Sequence, residues 1–358
     1  MYQRQSRRYC AVMLAVSVCM RLCMVLGLDA KAAGWLAETA RDPEFAQWML
    51  FLETGTVAEV TIEEPEQQLY VLRWMAPQPR QAEEAAPATE PEPPQTPSLP
   101  AAAASAEQLS LAGSCTYAVD KADLLSRPST LDFSGDGPHI LIVHTHGSEA
   151  YTPEAGYEYQ PEEAYRTLNT DRSVIQVGRV LADRLEANGI TVIHDETIND
   201  YPSYNNSYAN TLTRIQSWLT KYPTIQMVLD LHRDAVTDAN GNAVALSAMG
   251  NGESCAQLML VVGTDQGGLS HPQWQENLAN ALKLQSVLQG SYPELCRSLD
   301  LRTERFNQHA TAGSLLIEVG TNGNTLTQAM HSAELLADGL ARLIASIRQT
   351  GGYLQTAS

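Results

Sequence analysis

An α/β fold, with a mixed, mostly parallel sheet flanked by helices, is predicted by three apolar runs that each stop abruptly at polar residues. The runs are ILIV at 140–143, IQMVLDL at 225–231 and SLLIEVG at 314–320. Short runs that are apolar on both faces read as buried strands, and the helical periodicity between them sets up β/α alternation. In open α/β sheets chemistry sits beyond the carboxyl ends of strands. His144, Thr145, His146, Gly147, Ser148 and Glu149 follow the first run, His232, Arg233 and Asp234 follow the second, and Glu318 ends the third.

The elements can be taken in order. After the first strand, 154–170 is rich in Tyr, Glu and Pro and reads as a long loop over the strand ends. Val174, Val177, Leu181 and Leu185 then mark a helix, with Asp171 as candidate N-cap and Asn188-Gly189 as its stop. A short strand over 190–193 follows, then a helix over 206–222 with Leu212, Ile215, Trp218 and Leu219 on one face. Beyond the second apolar run, Asp238 to Gly241 is a turn signal and 256–262 a further strand. The glycines of 263–268 lack the lysine and spacing of a phosphate loop, so a plain connection is expected. Residues 272–289 read as a helix, and a last one runs from Asn324 or Thr325 to about 347, with Asn324 as its cap beside the site.

The chain has 358 residues, enough for about two domains, and its 44% hydrophobic content permits a substantial core. A formal net charge of -18 excludes nucleic acid as the principal partner, because phosphate would be repelled. Arg4, Arg7 and Arg8 precede an apolar stretch over 9–29, the layout of an export leader or membrane anchor. Its length of about twenty suits a spanning helix, whereas Arg21 and the small-residue site Ala30-Lys31-Ala32 suit a cleaved one. Three of the six cysteines lie in this leader, leaving Cys115, Cys255 and Cys296, with no CxxC pair to hold zinc and no disulfide framework.

The domain organisation follows. Residues 1–29 form a signal-anchor segment, 30–76 a membrane-proximal segment with a short amphipathic helix, and 77–106 a stiff linker rich in Pro, Ala and Glu. A lead-in over 107–137 precedes a catalytic domain over 138–350.

Histidines from two strand ends, a carboxylate and one further glutamate make the inventory of a catalytic zinc site. Three protein side chains hold the metal, water takes the fourth position, and a carboxylate outside the ligand shell takes a proton. The helical HExxH pattern is absent, so either His144 or His146 can be the first ligand, and the plain alternative is a capping or core histidine. A glutamate is rarely buried without a partner, so Glu318 calls for something cationic opposite it.

HTHGSEAY at 144–151, DLHRDA at 230–235, Asn307-Gln308, and LLIEVG followed by NTLTQA across 315–329 resemble the stage II sporulation protein P family of cell-wall hydrolases. The resemblance covers roughly 138–345, and the leader and linker match the family's layout. It implies a zinc-dependent N-acetylmuramoyl-L-alanine amidase, with cleavage of peptide cross-links as a further activity. It also implies action on peptidoglycan during forespore engulfment, alongside sporulation proteins D and M, from an N-terminal membrane anchor outside the cytoplasm, between the mother-cell and forespore membranes. Under it His146, which precedes a glycine, is preferred to His144 as zinc ligand, with His232 as the second. Glu149 is chosen as the carboxylate over Glu162, Glu163 and Asp171. Glu318 becomes the general base, Arg233 steadies an oxyanion or binds a peptide carboxylate, and Asn307, Gln308 and Asn324 bind substrate. Gly147 and Ala150 depart from the family pattern, which bears on fine substrate contacts. The competing expectations are an exported zinc peptidase and a wall-binding module without catalysis.

Overall fold

The computed structural model describes residues 103–354. Every described residue lies within the unit Glu92–Ser358. The expected anchor, membrane-proximal helix and most of the linker lie outside the described residues. Among the described residues no helix is long and apolar enough to cross a membrane.

Nine strands and five helices follow one another along the described chain: β1 (Leu111–Gly113), α1 (Lys121–Ser126), β2 (Ile140–Val143), α2 (Val174–Ala187), β3 (Val192–His194), α3 (Ser207–Lys221), β4 (Met227–Asp234), β5 (Ser247–Gly250), β6 (Glu253–Ala256), β7 (Leu258–Gly263), α4 (Trp274–Ser291), β8 (Leu299–Arg302), β9 (Gly313–Thr321) and α5 (Leu326–Thr350). Seven of the strands form one sheet in the order β1-β8-β7-β9-β4-β2-β3, and β5 pairs with β6 in a separate hairpin. All neighbours in the large sheet run parallel except β7 and β9. The mixed, mostly parallel α/β architecture read from the sequence is the one observed.

Alternation along the strands decides which face each helix covers. Ile140, Ile142, Met227, Leu229, Leu258, Leu260, Leu299, Leu315 and Ile317 point into the main core, filled from the other side by α2, α4 and α5. On the opposite face Leu141, Val143 and Val228 form a smaller cluster with Ile215 of α3. Helix α3 reaches β2 but no described helix packs extensively on the same face of β7, β8 and β1. That half of the sheet lies open.

Two expected helix caps are corrected. Helix α2 is capped by Ser173, whose hydroxyl accepts from Ile175 N–H, while Asp171 sits in the preceding turn of 3-10 helix and pairs with Arg179. Helix α5 is capped by Thr325 in a reciprocal box with Gln328, because Thr325 has the extended backbone that lets its hydroxyl reach N3. Asn324 instead turns its amide inward, accepting from Thr321 N–H and Leu246 N–H. Strands β1 and β8 were not anticipated, since LAG and LDLR are too short to establish a period.

Lys283 is fully buried under α1, where its ammonium donates to the carbonyls of Leu124 (3.0 Å) and Leu125 (3.1 Å). Burial, helped by nearby Arg127, lowers its pKa from 10.5 to about 8. A base with a depressed folded pKa binds fewer protons folded than unfolded, so stability rises as pH climbs through that window. The expected gain is about 3 kcal/mol between pH 8 and 10.5, measured by denaturant titration. Lys283→Met should remove that pH-dependent rise.

Candidate functional site

Strands β2, β4 and β9 stand beside one another and point the same way, which turns three separated sequence motifs into one cluster. His232 on β4 is registered directly opposite Glu318 on β9, and a bulge between His232 and Asp234 follows. The turn after β2 supplies His146 and Glu149. It is tied down by Glu149 N–H donating to the His146 carbonyl and Val174 N–H donating to the Glu149 carbonyl. His146, Glu149, His232, Arg233 and Glu318 all line an open cavity of about 850 Å³.

The two imidazoles meet edge to face with ring centroids 5.3 Å apart. Glu149 Oε2 lies 3.5 Å from His232 Nδ1 and accepts from Arg233 N–H at 3.1 Å. On the other side of the ring, Asp230 Oδ1 lies 3.1 Å from His232 Nε2. Asp230 is itself oriented by Thr145, which donates from its backbone (2.8 Å) and its hydroxyl (2.6 Å).

These contacts set the charges. Burial disfavours a charged His232, but Asp230 first and Glu149 after it raise its pKa well above the ordinary value. Burial would raise Glu149 too, yet its hydrogen bond with His232 and the Arg233 charge hold it at about 2. Glu318 goes the other way: burial, aided by the charge of Glu149, pushes its carboxyl up to about 8 against the pull of His232. The cluster therefore favours a cation at its centre and a proton on Glu318.

The sequence-predicted residues separate into two groups. His146, Glu149, His232, Glu318 and Arg233 come together at the cavity. Arg233 is almost fully buried, and its guanidinium donates to the carbonyls of Ala150 (2.9 Å) and Tyr165 (2.8 Å), so it clamps the Glu149 turn. His144 points away from the cavity into a buried hydrogen bond with His194 (2.8 Å), where burial and the His194 charge lower its pKa to about 3.

Asn307, Gln308 and Asn324 spend their amides inside the protein. Asn307 donates to the Tyr208 carbonyl, Gln308 bridges Gly263 N–H and the Val261 carbonyl, and Asn324 holds Thr321, Leu246 and Ser247. None of the three lines the cavity. Glu162, Glu163 and Asp171 are exposed and lie outside its lining.

Sequence reasoning missed Asp230, Asp200, Arg166, Tyr204 and Tyr208. Asp230 had a signal, a carboxylate on one face of an otherwise apolar strand. Asp200 and Arg166 sit on irregular segments and Tyr204 in a single turn of 3-10 helix, where the pattern carries no period, while Tyr208 lies in the first turn of α3. Tyr204 stacks flat on His146 at 4.4 Å, Tyr208 meets it edge-on at 5.7 Å, and the Arg166 guanidinium lies over Tyr204 at 4.8 Å. Arg166 also donates to Asp200 (2.7 Å) and Ser148 (2.9 Å) and stands 3.6 Å from Glu149.

Whether these residues suit a metal can be tested on their unsatisfied atoms. His146 Nδ1, His232 Nε2 and Glu318 Oε2 are buried without a hydrogen bond, although His232 Nε2 keeps its ion-pair contact with Asp230. Buried polar atoms ordinarily find partners. Among the described residues no three His, Cys, Asp or Glu side chains already stand at metal-holding spacing. Two imidazoles and a carboxylate facing a cavity are a donor set that suits a divalent transition metal.

A family model described as stage II sporulation protein P (SpoIIP) matches residues 56–341. A curated relative, the stage II sporulation protein P of Bacillus subtilis (strain 168), is 26% identical over 216 residues, which are 57% of this chain and 51% of the relative. The match thus spans about half the length of that relative. Among solved structures, the N-acetylmuramoyl-L-alanine amidase AmiC2 of Nostoc punctiforme is similar at 12% identity and TM-score 0.34, covering 60% of this chain and 99% of that one. The catalytic domain of CwlV, an N-acetylmuramoyl-L-alanine amidase from Bacillus (Paenibacillus) polymyxa var. colistinus, is similar at 9% identity and TM-score 0.34, with coverage of 60% and 99%.

Proposed function

Because the chain belongs to the stage II sporulation protein P family, we propose that it is a sporulation cell-wall hydrolase that opens the N-acetylmuramoyl-L-alanine amide bond of peptidoglycan with the help of zinc. The observation that carries the reading is the convergence of His146, Glu149, His232 and Glu318 on one cavity, with Glu318 Oε2 buried without a partner and His146 Nδ1 and His232 Nε2 without a hydrogen bond.

His146, Glu149 and His232 would hold the ion. Zinc, when bound, polarises a carbonyl and lowers the pKa of water to about 7. His144 is not needed for this, since its ring is committed to His194.

The chain's own groups manage the proton. A carboxyl poised at about 8 exchanges a proton near neutral pH, so Glu318 can take one from the attacking water and return it to the departing amine. Asp230 and Thr145 fix the orientation of His232, and Arg233 fixes that of Glu149. Arg233 is thereby a positioning residue.

The expected setting is a protein anchored by residues 1–29, extended on the linker of 77–106, and acting on peptidoglycan between the mother-cell and forespore membranes with sporulation proteins D and M. The test of the reaction is digestion of purified peptidoglycan followed by product analysis. Free stem peptides with new L-alanine amino termini are expected. Peptide fragments with every muramoyl amide intact would instead establish a peptidase, and wall binding without soluble product a binding module.

A further inference from the structure

The hydrolysis proposed above puts negative charge on the oxygen of the scissile carbonyl, in a cavity already lined by the carboxylates of Glu149, Asp234 and Glu318. A hydrogen-bond donor aimed at that oxygen offsets the charge. The family resemblance assigns the role to Arg233, whose guanidinium is instead spent on the carbonyls of Ala150 and Tyr165 and on Glu149. The other arginines of the cavity are answered too: Arg166 by Asp200 and Ser148, Arg297 by Asp234, and Arg302 by Asp300 and Glu304.

Tyr208 is the exception. Its ring lines the cavity, 5.7 Å from that of His146, and among the described residues its hydroxyl has no hydrogen-bond partner and stays open to the cavity. Tyr204 offers a second phenol, but that residue is 53% exposed, which leaves its hydroxyl to water.

The fold fixes Tyr208 before any substrate arrives. It sits in the first turn of α3, where the Asn307 amide donates to its carbonyl at 2.8 Å. Its ring packs against His146 and against Phe306, whose ring centroid is 6.0 Å away. Phe306 holds that place with φ at 51°, a left-handed conformation that is costly for an aromatic residue. A donor set in advance needs no reorganisation when charge appears. Burial, and then the charges of Asp230, Glu318 and Glu149, push the phenol pKa upward, so the oxygen keeps its proton.

We propose that Tyr208 is a catalytic residue of this site: its hydroxyl donates a hydrogen bond to the oxygen of the scissile carbonyl as that oxygen gains negative charge. Tyr208 transfers nothing. The amide C–N bond breaks, the departing amine takes its proton from Glu318, and the phenol retains its own. The proposal rests on the amidase reading for the identity of the carbonyl.

Tyr208→Phe in the full-length protein removes the hydroxyl and leaves the ring. With a synthetic muramoyl peptide, kcat should fall about 10²-fold and KM change less than threefold, with zinc per chain and the unfolding midpoint as in the wild type. A packing role gives the opposite pattern, with Tyr208→Phe silent and only Tyr208→Leu harmful, and that result would overturn the assignment. Binding supplies a readout without turnover. A phosphonate analogue of the muramoyl amide carries charge on tetrahedral oxygens, and Tyr208→Phe should bind it about tenfold more weakly, in the chelated protein as in the loaded one. Equal affinity for the analogue would also sink the donor. Peptide bonds cut with every muramoyl amide intact would remove the amidase reading, and a loss of that activity in Tyr208→Phe would still sustain the donor. Muramoyl amides cleaved equally well by both proteins would do the reverse. In a protein that turns over neither substrate, affinity for the analogue alone decides.

Discussion

Glu318→Gln is expected to slow release of stem peptides by about 10³-fold while bound zinc stays near one per chain. The substitution keeps the shape of the side chain and removes only its capacity to exchange a proton. Because Glu318 lies on β9, opposite His232 and outside the proposed ligand set, metal content should be insensitive to it. Loss of zinc together with activity would make Glu318 a ligand and overturn the assignment.

The same residue leaves a thermodynamic signature that needs no substrate. A carboxyl raised from 4.5 to about 8 binds more protons folded than unfolded. Glu318 should therefore cost the chelated protein a few kcal/mol of stability as pH rises across that window, and Glu318→Gln should remove that share of the slope and leave the share of His232, whose pKa is also raised. Denaturant titrations at pH 5.5 and 8.5 would read it as about that difference. A slope identical in wild type and Glu318→Gln would show that Glu318 is not the proton carrier described above.

His232→Ala is expected to reduce zinc from about one per chain to near zero and activity by more than about 10³-fold. The reason extends beyond a lost ligand. Glu149 and Asp230 flank His232 on opposite sides, and both are buried. Without the imidazole these carboxylates lose their shared cation, which should destabilise the protein by about 3 kcal/mol at neutral pH. Their pKa values then rise, so the deficit should shrink on acidification. Metal analysis and denaturant titration at two pH values check both halves.

The sequence made the catalytic strands legible because β2, β4 and β9 are buried on both faces and therefore read as continuous apolar runs. His146, Glu149, His232 and Glu318 were found since each lies at or just past the end of such a run. Where the reading failed, the cause was local. Asn324 and Thr325 are both competent caps, and only the backbone angles decide that Thr325 takes the role. Asn307 and Gln308 read as substrate hydrogen bonders, but Asn307 holds the Tyr208 carbonyl and Gln308 is a brace between Gly263 and Val261. Arg166 reaches the site from a loop whose course nothing in its own residues specifies, and β1 and β8 are defined by pairing across the sheet.

The partner of β1 lies far along the chain. Leu111 to Gly113 pair with Leu299 to Leu301, and His146 meets Glu318 only after nearly all of the intervening residues are in place. In biogenesis such a domain is assembled last from its two ends. A chain emerging amino end first has an unfinished sheet and a cluster lacking its proton carrier until β9 is out. The proposed activity would thus be withheld from nascent and C-terminally clipped chains by topology, and a cut between β1 and Glu318 is expected to leave an inactive fragment.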